Sequence, residues 1–330
     1  MKKITVLGAG AWGTALALQI SRQHQVSLWT RNQSHIMDMQ ITRANLQYLG
    51  DFTFGDQLTV EGDLGRALEG TDLIVSVVPT NGFRNALKEI KRLGCDAPLI
   101  WASKGLEAAT AKLPHEVAQD ELGDSRPWGV LSGPSFAAEL VRGLPTAVTL
   151  AANDAEFAAQ AGALLHGGNF RVYTSTDVIG VSVGGALKNV LAIAAGISDG
   201  MQCGNNARAA LITRGMAEMT RFGVALGGAK ETFMGLTGAG DLILTCTGQY
   251  SRNREVGLRL ANGQTLQEIL KTLGHVAEGV HTAREVLKRA NLLGVDMPIT
   301  QEVDQVLSHG RSPRQAMENL LSREQKSESQ

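Results

Sequence analysis

The sequence is short of three things. Cysteine occurs only at Cys95, Cys203 and Cys246, an odd number with no C-x-x-C spacing. That suggests neither a disulfide framework nor a zinc knuckle and favours three small buried hydrophobes. The seven histidines form no HxxxH or HExxH pair, so nothing indicates a metal site. An excess of one charge is also missing: 31 Lys and Arg stand against 32 Asp and Glu, a formal charge of −1. This balance carries no basic footprint for nucleic acid, though a local basic site for a small anion stays open. Charged residues make up only 19% and hydrophobic residues 43%. A chain of this kind can bury a sizeable core, with disorder confined to its ends.

Glycine, by contrast, is abundant, at 38 of 330 residues. It shows no period of three, which excludes collagen. At ~100–200 residues per domain, the length suggests two domains. No internal repeat is visible.

Two segments imitate membrane or export signals. After Lys2 and Lys3 no charge occurs up to Gln19. Gly8, Gly10 and Gly13 interrupt this run and weaken it as a signal helix. It divides better into a strand, a turn and a helix. The second segment, 178–198, carries one charge, Lys188. A span needs ~20 apolar residues and tolerates a central lysine poorly. A buried helix is the better reading, with no integral membrane segment and a cytoplasmic location expected.

Apolar runs at 4–7, 26–29, 73–78, 99–102, 128–131, 147–150 and 170–173 read as strands. Helical patterns at 11–22, 83–93 and 154–165 lie among them. Such alternation predicts a mainly parallel sheet covered on both faces. Past Thr176 the strands stop and only helical patterns follow, led by 178–201 and 205–222. The fold class is therefore α/β plus all-α, with a sheet domain over 1–176 and a helical domain over 177–330. The polar residues 323–330 are expected to fray.

Gly8-Ala9-Gly10-Ala11-Trp12-Gly13 is a G-x-G-x-x-G turn between a strand and a helix. Gly8 permits the tight turn, Gly10 lets backbone approach a pyrophosphate, and Gly13 allows helix–strand packing. The second strand ends in Trp29-Thr30-Arg31-Asn32, with no acid to hold a ribose 2′-hydroxyl. Arg31 suits a 2′-phosphate instead, which favours NADP while NAD stays open.

Chemistry is offered by Lys188, the only charge between Asp177 and Asp199. Burial draws a lysine toward proton transfer at neutral pH. Gly184 and Gly185, one turn back, are expected to leave room for a ligand. Lys104 and Gly133-Pro134-Ser135-Phe136 each follow a strand, where ligands of parallel sheets bind. A surface lysine and a plain turn are the alternatives there. Asp241 follows a glycine turn. Ser251-Arg252-Asn253-Arg254 suits a phosphate or, equally, a solvated helix start.

Together these motifs resemble the bacterial NAD(P)-dependent glycerol-3-phosphate dehydrogenases. The resemblance spans roughly residues 3–322, and Ala102-Ser103-Lys104-Gly105-Leu106, Gly185-Ala186-Leu187-Lys188-Asn189-Val190 and Gly238-Ala239-Gly240-Asp241-Leu242 carry it with the motifs above. It implies a Rossmann-like domain followed by an all-helical one. It further implies Lys188 as acid/base, with Asp241, Asn189 and Lys104 beside it in catalysis. Lys104, Gly133, Ser135, Lys188, Asp241, Ser251, Arg252 and Asn253 would contact glycerol phosphate. Gly8, Gly10, Ala11, Trp12, Gly13, Arg31, Lys104, Ala137, Arg252, Val276 and Glu278 would contact NADP or NAD. Ala11 stands where many members have Ser. The implied reaction is reversible reduction of dihydroxyacetone phosphate, feeding phospholipid synthesis. A hydroxyacid or ketopantoate-type reductase and a dinucleotide-sensing regulator are the rival readings. A homodimer is compatible with the sequence, which does not set the oligomeric state.

Overall fold

The computed structural model describes residues 1–123, 126–273 and 277–324. Val276 and residues 325–330 of the polar tail lie outside the described residues.

Eight strands form one sheet: β1 (Lys3–Leu7), β2 (Gln25–Trp29), β3 (Leu58–Glu61), β4 (Leu73–Ser76), β5 (Leu99–Trp101), β6 (Trp128–Ser132), β7 (Thr146–Ala152) and β8 (Phe170–Ser175). Their order is β3-β2-β1-β4-β5-β6-β7-β8. Neighbours pair in parallel except β6 and β7. Seven helices accompany them: α1 (Ala11–Ile20), α2 (Gln33–Thr42), α3 (Leu64–Leu68), α4 (Thr80–Arg92), α5 (Pro114–Leu122), α6 (Ala137–Val141) and α7 (Ala155–Leu165). Alternate strand residues serve opposite faces. Val75 and Ile100 join a core with Leu16 and Ile20 of α1. Ile74, Leu99 and Trp101 join another with Phe83, Leu87 and Ile90 of α4.

The chain runs outward from β1 through β2 to β3, then returns to β4 on β1's other side. This reversal makes β1/β4 the switch point, and crevices open outside strand carboxyl ends at such points. Gly8 follows β1 and Val77 follows β4.

The sequence reading missed β3 and α2. β3 is a short edge strand with Leu58 and Val60 buried and Thr59 exposed. It lacks the continuous apolar run that marks β4, which is buried throughout. α2 is mostly polar and buries only His35, Ile36 and Met39. Asn32 starts it, its side chain accepting from the His35 amide.

Among the described residues no strand follows β8. The helices there are α8 (Val178–Gly200), α9 (Gly204–Ala225), α10 (Asp241–Thr247), α11 (Arg252–Ala261), α12 (Leu266–Thr272), α13 (Gly279–Leu293), α14 (Pro298–Ser308) and α15 (Pro313–Leu321). Contacts divide the chain into two units, residues 1–104 with 112–182, and residues 105–111 with 183–330. α8 is long and apolar enough to cross a membrane, but 94% of its most apolar window is buried inside the protein. Its residues 183–200 belong to the second unit, while Val178 and Val181 join the core of Ile74, Leu99 and Trp101 in the first.

Candidate active site

In the sheet unit the candidate residues gather at the carboxyl ends of parallel strands. The Gly8–Gly13 turn follows β1, Arg31 follows β2, Lys104 follows β5, and Gly133 and Ser135 follow β6, with Ala137 opening α6. Sterics fix the turn. Gly8 has φ +111, and a Cβ on it would stand 3.0 Å from the Val77 carbonyl oxygen. A Cβ on Gly13 would stand 1.9 Å from the Gly8 oxygen. Both positions therefore require glycine. Gly10 differs: a Cβ there would meet nothing within 4 Å. This open side lies at the start of α1, whose first amides have no side-chain cap. Uncapped amides at a helix N-terminus attract anions. The residues present thus fit the pyrophosphate of a dinucleotide.

Arg31 is exposed and makes no hydrogen bond or ion pair among the described residues. Trp12 is half-buried and packs toward Phe170, ring centroids 6.5 Å apart. The Ser135 hydroxyl donates to the Gly133 carbonyl at 2.9 Å. Ser103 Oγ donates to the Val78 carbonyl at 2.6 Å, tying the segment before Lys104 to the end of β4.

In the helical unit the candidates converge through hydrogen bonds. Lys188 on α8 is 8% exposed and Asp241, the first residue of α10, is 1% exposed. The ammonium donates to Asp241 Oδ1 in a short ion pair. Thr245, one turn along α10, gives its hydroxyl to the Asp241 main-chain oxygen at 2.6 Å and lies 3.3 Å from Oδ1. Two charges buried together are a poor source of stability, because desolvation offsets their attraction. Holding a charged lysine in an apolar helix is a better account of the pair. Cys246 on α10 adds no charge beside it, since burial pushes its thiol up to about 12.

A second chain of contacts joins three helices. Asn253 Nδ2 donates to Asn189 Oδ1 at 3.0 Å, and Asn253 Oδ1 accepts from the Gly279 amide at 3.1 Å. One Asn253 hydrogen remains beyond these bonds. Ser251 caps α11, its Oγ accepting from the Arg254 amide at 3.2 Å. Arg252 is the first residue of α11, and Glu278 stands directly before α13. Arg254 binds Asp199 of α8, with Nε at 2.8 Å and Nη2 at 2.7 Å.

Glycines let these helices meet. A Cβ on Gly196 would lie 2.0 Å from the Arg254 oxygen, and one on Gly257 would lie 2.1 Å from the Ile193 oxygen. Gly184 departs from expectation: a Cβ there would stand 2.7 Å from the Thr237 carbonyl. Backbone, and not ligand space, fills that position. Thr237 sits in the π-helical turn Leu236–Gly240 that delivers Asp241.

Models of the two halves of one family match this chain. The N-terminal half of NAD-dependent glycerol-3-phosphate dehydrogenase matches residues 3–158, and the C-terminal half matches residues 177–318. The chain belongs to that family. It is 94% identical over 326 residues to the glycerol-3-phosphate dehydrogenase (NAD(P)+) of Methylobacillus flagellatus, covering 99% of each chain. Identity to the corresponding protein of Nitrosospira multiformis is 56%, again over 99% of each. The crystal structure of glycerol-3-phosphate dehydrogenase from Coxiella burnetii superposes with a TM-score of 0.94 at 43% identity, covering 98% of this chain and 99% of that one.

Sequence reasoning missed Thr245 and the packed glycines Gly196 and Gly257. Thr245 lies four residues after Asp241, one helical turn, and that spacing was the available signal. Contacts such as Gly196 to Arg254 join distant segments and leave no local mark.

Proposed function

We propose that the chain reversibly reduces dihydroxyacetone phosphate to sn-glycerol 3-phosphate with NADPH or NADH. The buried Lys188–Asp241 pair is the observation that carries this reading. Bound reduced nicotinamide supplies the hydride. Lys188 protonates the alkoxide that develops at C2, and its charge stabilises that oxygen beforehand. Asp241, bound in turn by the Thr245 hydroxyl, holds the ammonium in one orientation. Asn189, Lys104, Gly133 and Ser135 contact the substrate. Ser251, Arg252 and the remaining Asn253 hydrogen grip the phosphate at the start of α11, where the helix dipole favours an anion.

Residues 1–176 form the dinucleotide-binding part and 177–330 the catalytic part. Gly8, Gly10, Ala11, Trp12, Gly13, Arg31, Ala137, Lys104, Arg252, Val276 and Glu278 hold the dinucleotide. The enzyme works in the cytoplasm, and its product supplies glycerophospholipid synthesis.

The test is NADPH oxidation with three substrates. Dihydroxyacetone phosphate should turn over, and dihydroxyacetone and ketopantoate should react little. A phosphate grip remote from the carbonyl raises turnover as well as affinity. Equal rates with and without the phosphate would remove the assigned role of α11. A preference for ketopantoate would replace the reading with a carboxylate-recognising reductase.

A further inference from the structure

A residue outside the glycine turn holds it from behind. Asn45, shortly after α2, is 1% exposed. Its Nδ2 donates to the Ala9 carbonyl at 3.0 Å and to the Thr14 hydroxyl at 2.7 Å, using both hydrogens. Its Oδ1 lies 2.9 Å from His35 Nε2. The Ala9 carbonyl can only accept, so Nδ2 must face it; Oδ1 then faces the imidazole, which carries its proton on Nε2. His35 is itself buried, meets the Tyr48 ring edge-on at 5.3 Å, and is set at the start of α2 by Asn32.

We propose that Asn45 is a positioning residue for the dinucleotide, aiming the Gly10 amide at its pyrophosphate. A trans peptide is planar, with its carbonyl and its N–H pointing to opposite sides. The carbonyl of the Ala9–Gly10 peptide is tied inward to Asn45. The Gly10 N–H in the same plane therefore points outward. Gly10 is exposed, and a Cβ there would meet nothing within 4 Å. A glycine-rich turn has backbone freedom to spare, and the flipped peptide would present an oxygen to a phosphate. The Asn45 anchor removes that alternative. Thr14, in the first turn of α1, is bound by the same carboxamide, so turn and helix move as one piece.

This inference rests on the dinucleotide reading, and its test separates the two. Asn45→Asp keeps the shape but turns the donor toward Ala9 into an acceptor. Asn45→Ser removes the anchor without adding charge and serves if the aspartate variant does not fold. Dissociation constants are measured by calorimetry for NADPH and for adenosine 2′-monophosphate, which lacks the pyrophosphate. NADPH should bind at least tenfold more weakly while the monophosphate binds as before. In steady state, KM for NADPH should rise by a larger factor than kcat falls. Unchanged NADPH affinity would overturn the proposal. So would an equal loss for both ligands, because general damage to the sheet unit would then explain it. Wild-type protein that binds neither NADPH nor NADH would overturn the dinucleotide reading and this inference with it.

Discussion

Gly10 of the sheet unit and the packed glycines of the helical unit do opposite work. In the turn after β1, Gly10 keeps side-chain atoms out of an open space. In the helical unit, Gly184, Gly196, Gly257 and Gly279 keep side-chain atoms out of a space that backbone already fills. A Cβ on Gly279, for instance, would stand 2.6 Å from the Asn189 oxygen. The first arrangement leaves peptide groups for a ligand. The second brings helices together so that Lys188 meets Asp241 and Asn189 meets Asn253. Under the proposed function, binding in the sheet unit is largely a backbone property and chemistry in the helical unit a side-chain property.

The sharpest way to break this contrast is Lys188→Ala. If the chemistry lives in that side chain, single-turnover reduction should fall at least ~10²–10⁴-fold, the usual loss of general acid catalysis. Loss of the fixed charge adds to that. NADPH affinity should barely change, because the glycine turn belongs to the other unit. A variant within tenfold of wild-type turnover would refute the catalytic role. Lys188→Met, which preserves more of the packing, is the fallback if the alanine variant does not fold.

A pair of glycine substitutions tests the contrast directly. Gly196→Ala would place a methyl group 2.0 Å from a backbone oxygen that cannot rotate away. Overpacking costs ~1–3 kcal/mol and occasionally more, and backbone contact belongs at the upper end. Chemical denaturation should show that loss. Gly10→Ala should leave stability nearly unchanged and weaken dinucleotide binding, since its methyl group would occupy the ligand's side. Equal stability losses in the two variants would erase the distinction between the glycines.

Sequence made the sheet unit's plan legible because buried parallel strands are continuous apolar runs, and the G-x-G-x-x-G turn lies between a strand and a helix. Edge strand β3 alternates and escaped notice. Lys188 stood out as a lone charge in an apolar helix. Its partner Asp241 lies 53 residues away, and only the fold brings them together. Gly184 was noticed, but whether its empty side faces ligand or Thr237 is a tertiary fact. Asn45 and His35 have no motif around them, and their meaning comes from the acceptors they reach.

Arg31 is the one proposed cofactor contact read from a side-chain charge, and it sharpens the contrast on the sheet side. It is exposed and has no partner among the described residues. Arg31→Ala should therefore weaken NADPH more than NADH and leave stability alone. A charge-assisted hydrogen bond is worth ~1.5–3 kcal/mol, about ten- to a hundredfold. Titrating the variant with both dinucleotides decides the point. If both weaken alike, the 2′-phosphate is held elsewhere.

The smallest expected effect concerns a buried acid that takes no part in the chemistry. Glu218 on α9 accepts from the Thr300 amide at 3.2 Å and from the Ile299 amide, capping the start of α14. Burial pushes its carboxyl up to about 7 from an ordinary 4.5, against the pull of those amides and of Arg221. Between these values the folded protein holds a proton that the unfolded chain has released. Stability must then fall as pH rises through this window, by roughly 1 kcal/mol from pH 5.5 to 6.5. The direction is opposite to that of a salt-bridged carboxylate such as Asp72, which its Lys2 partner holds below the usual range. Glu218→Gln removes the titration while keeping the shape and one acceptor. Urea denaturation at pH 5.5, 6.5 and 7.5 should show a flatter profile for the variant, even if its stability at pH 5.5 is lower. An unaltered slope would mean that Glu218 titrates normally, and that the amides of Ile299 and Thr300 offset its burial.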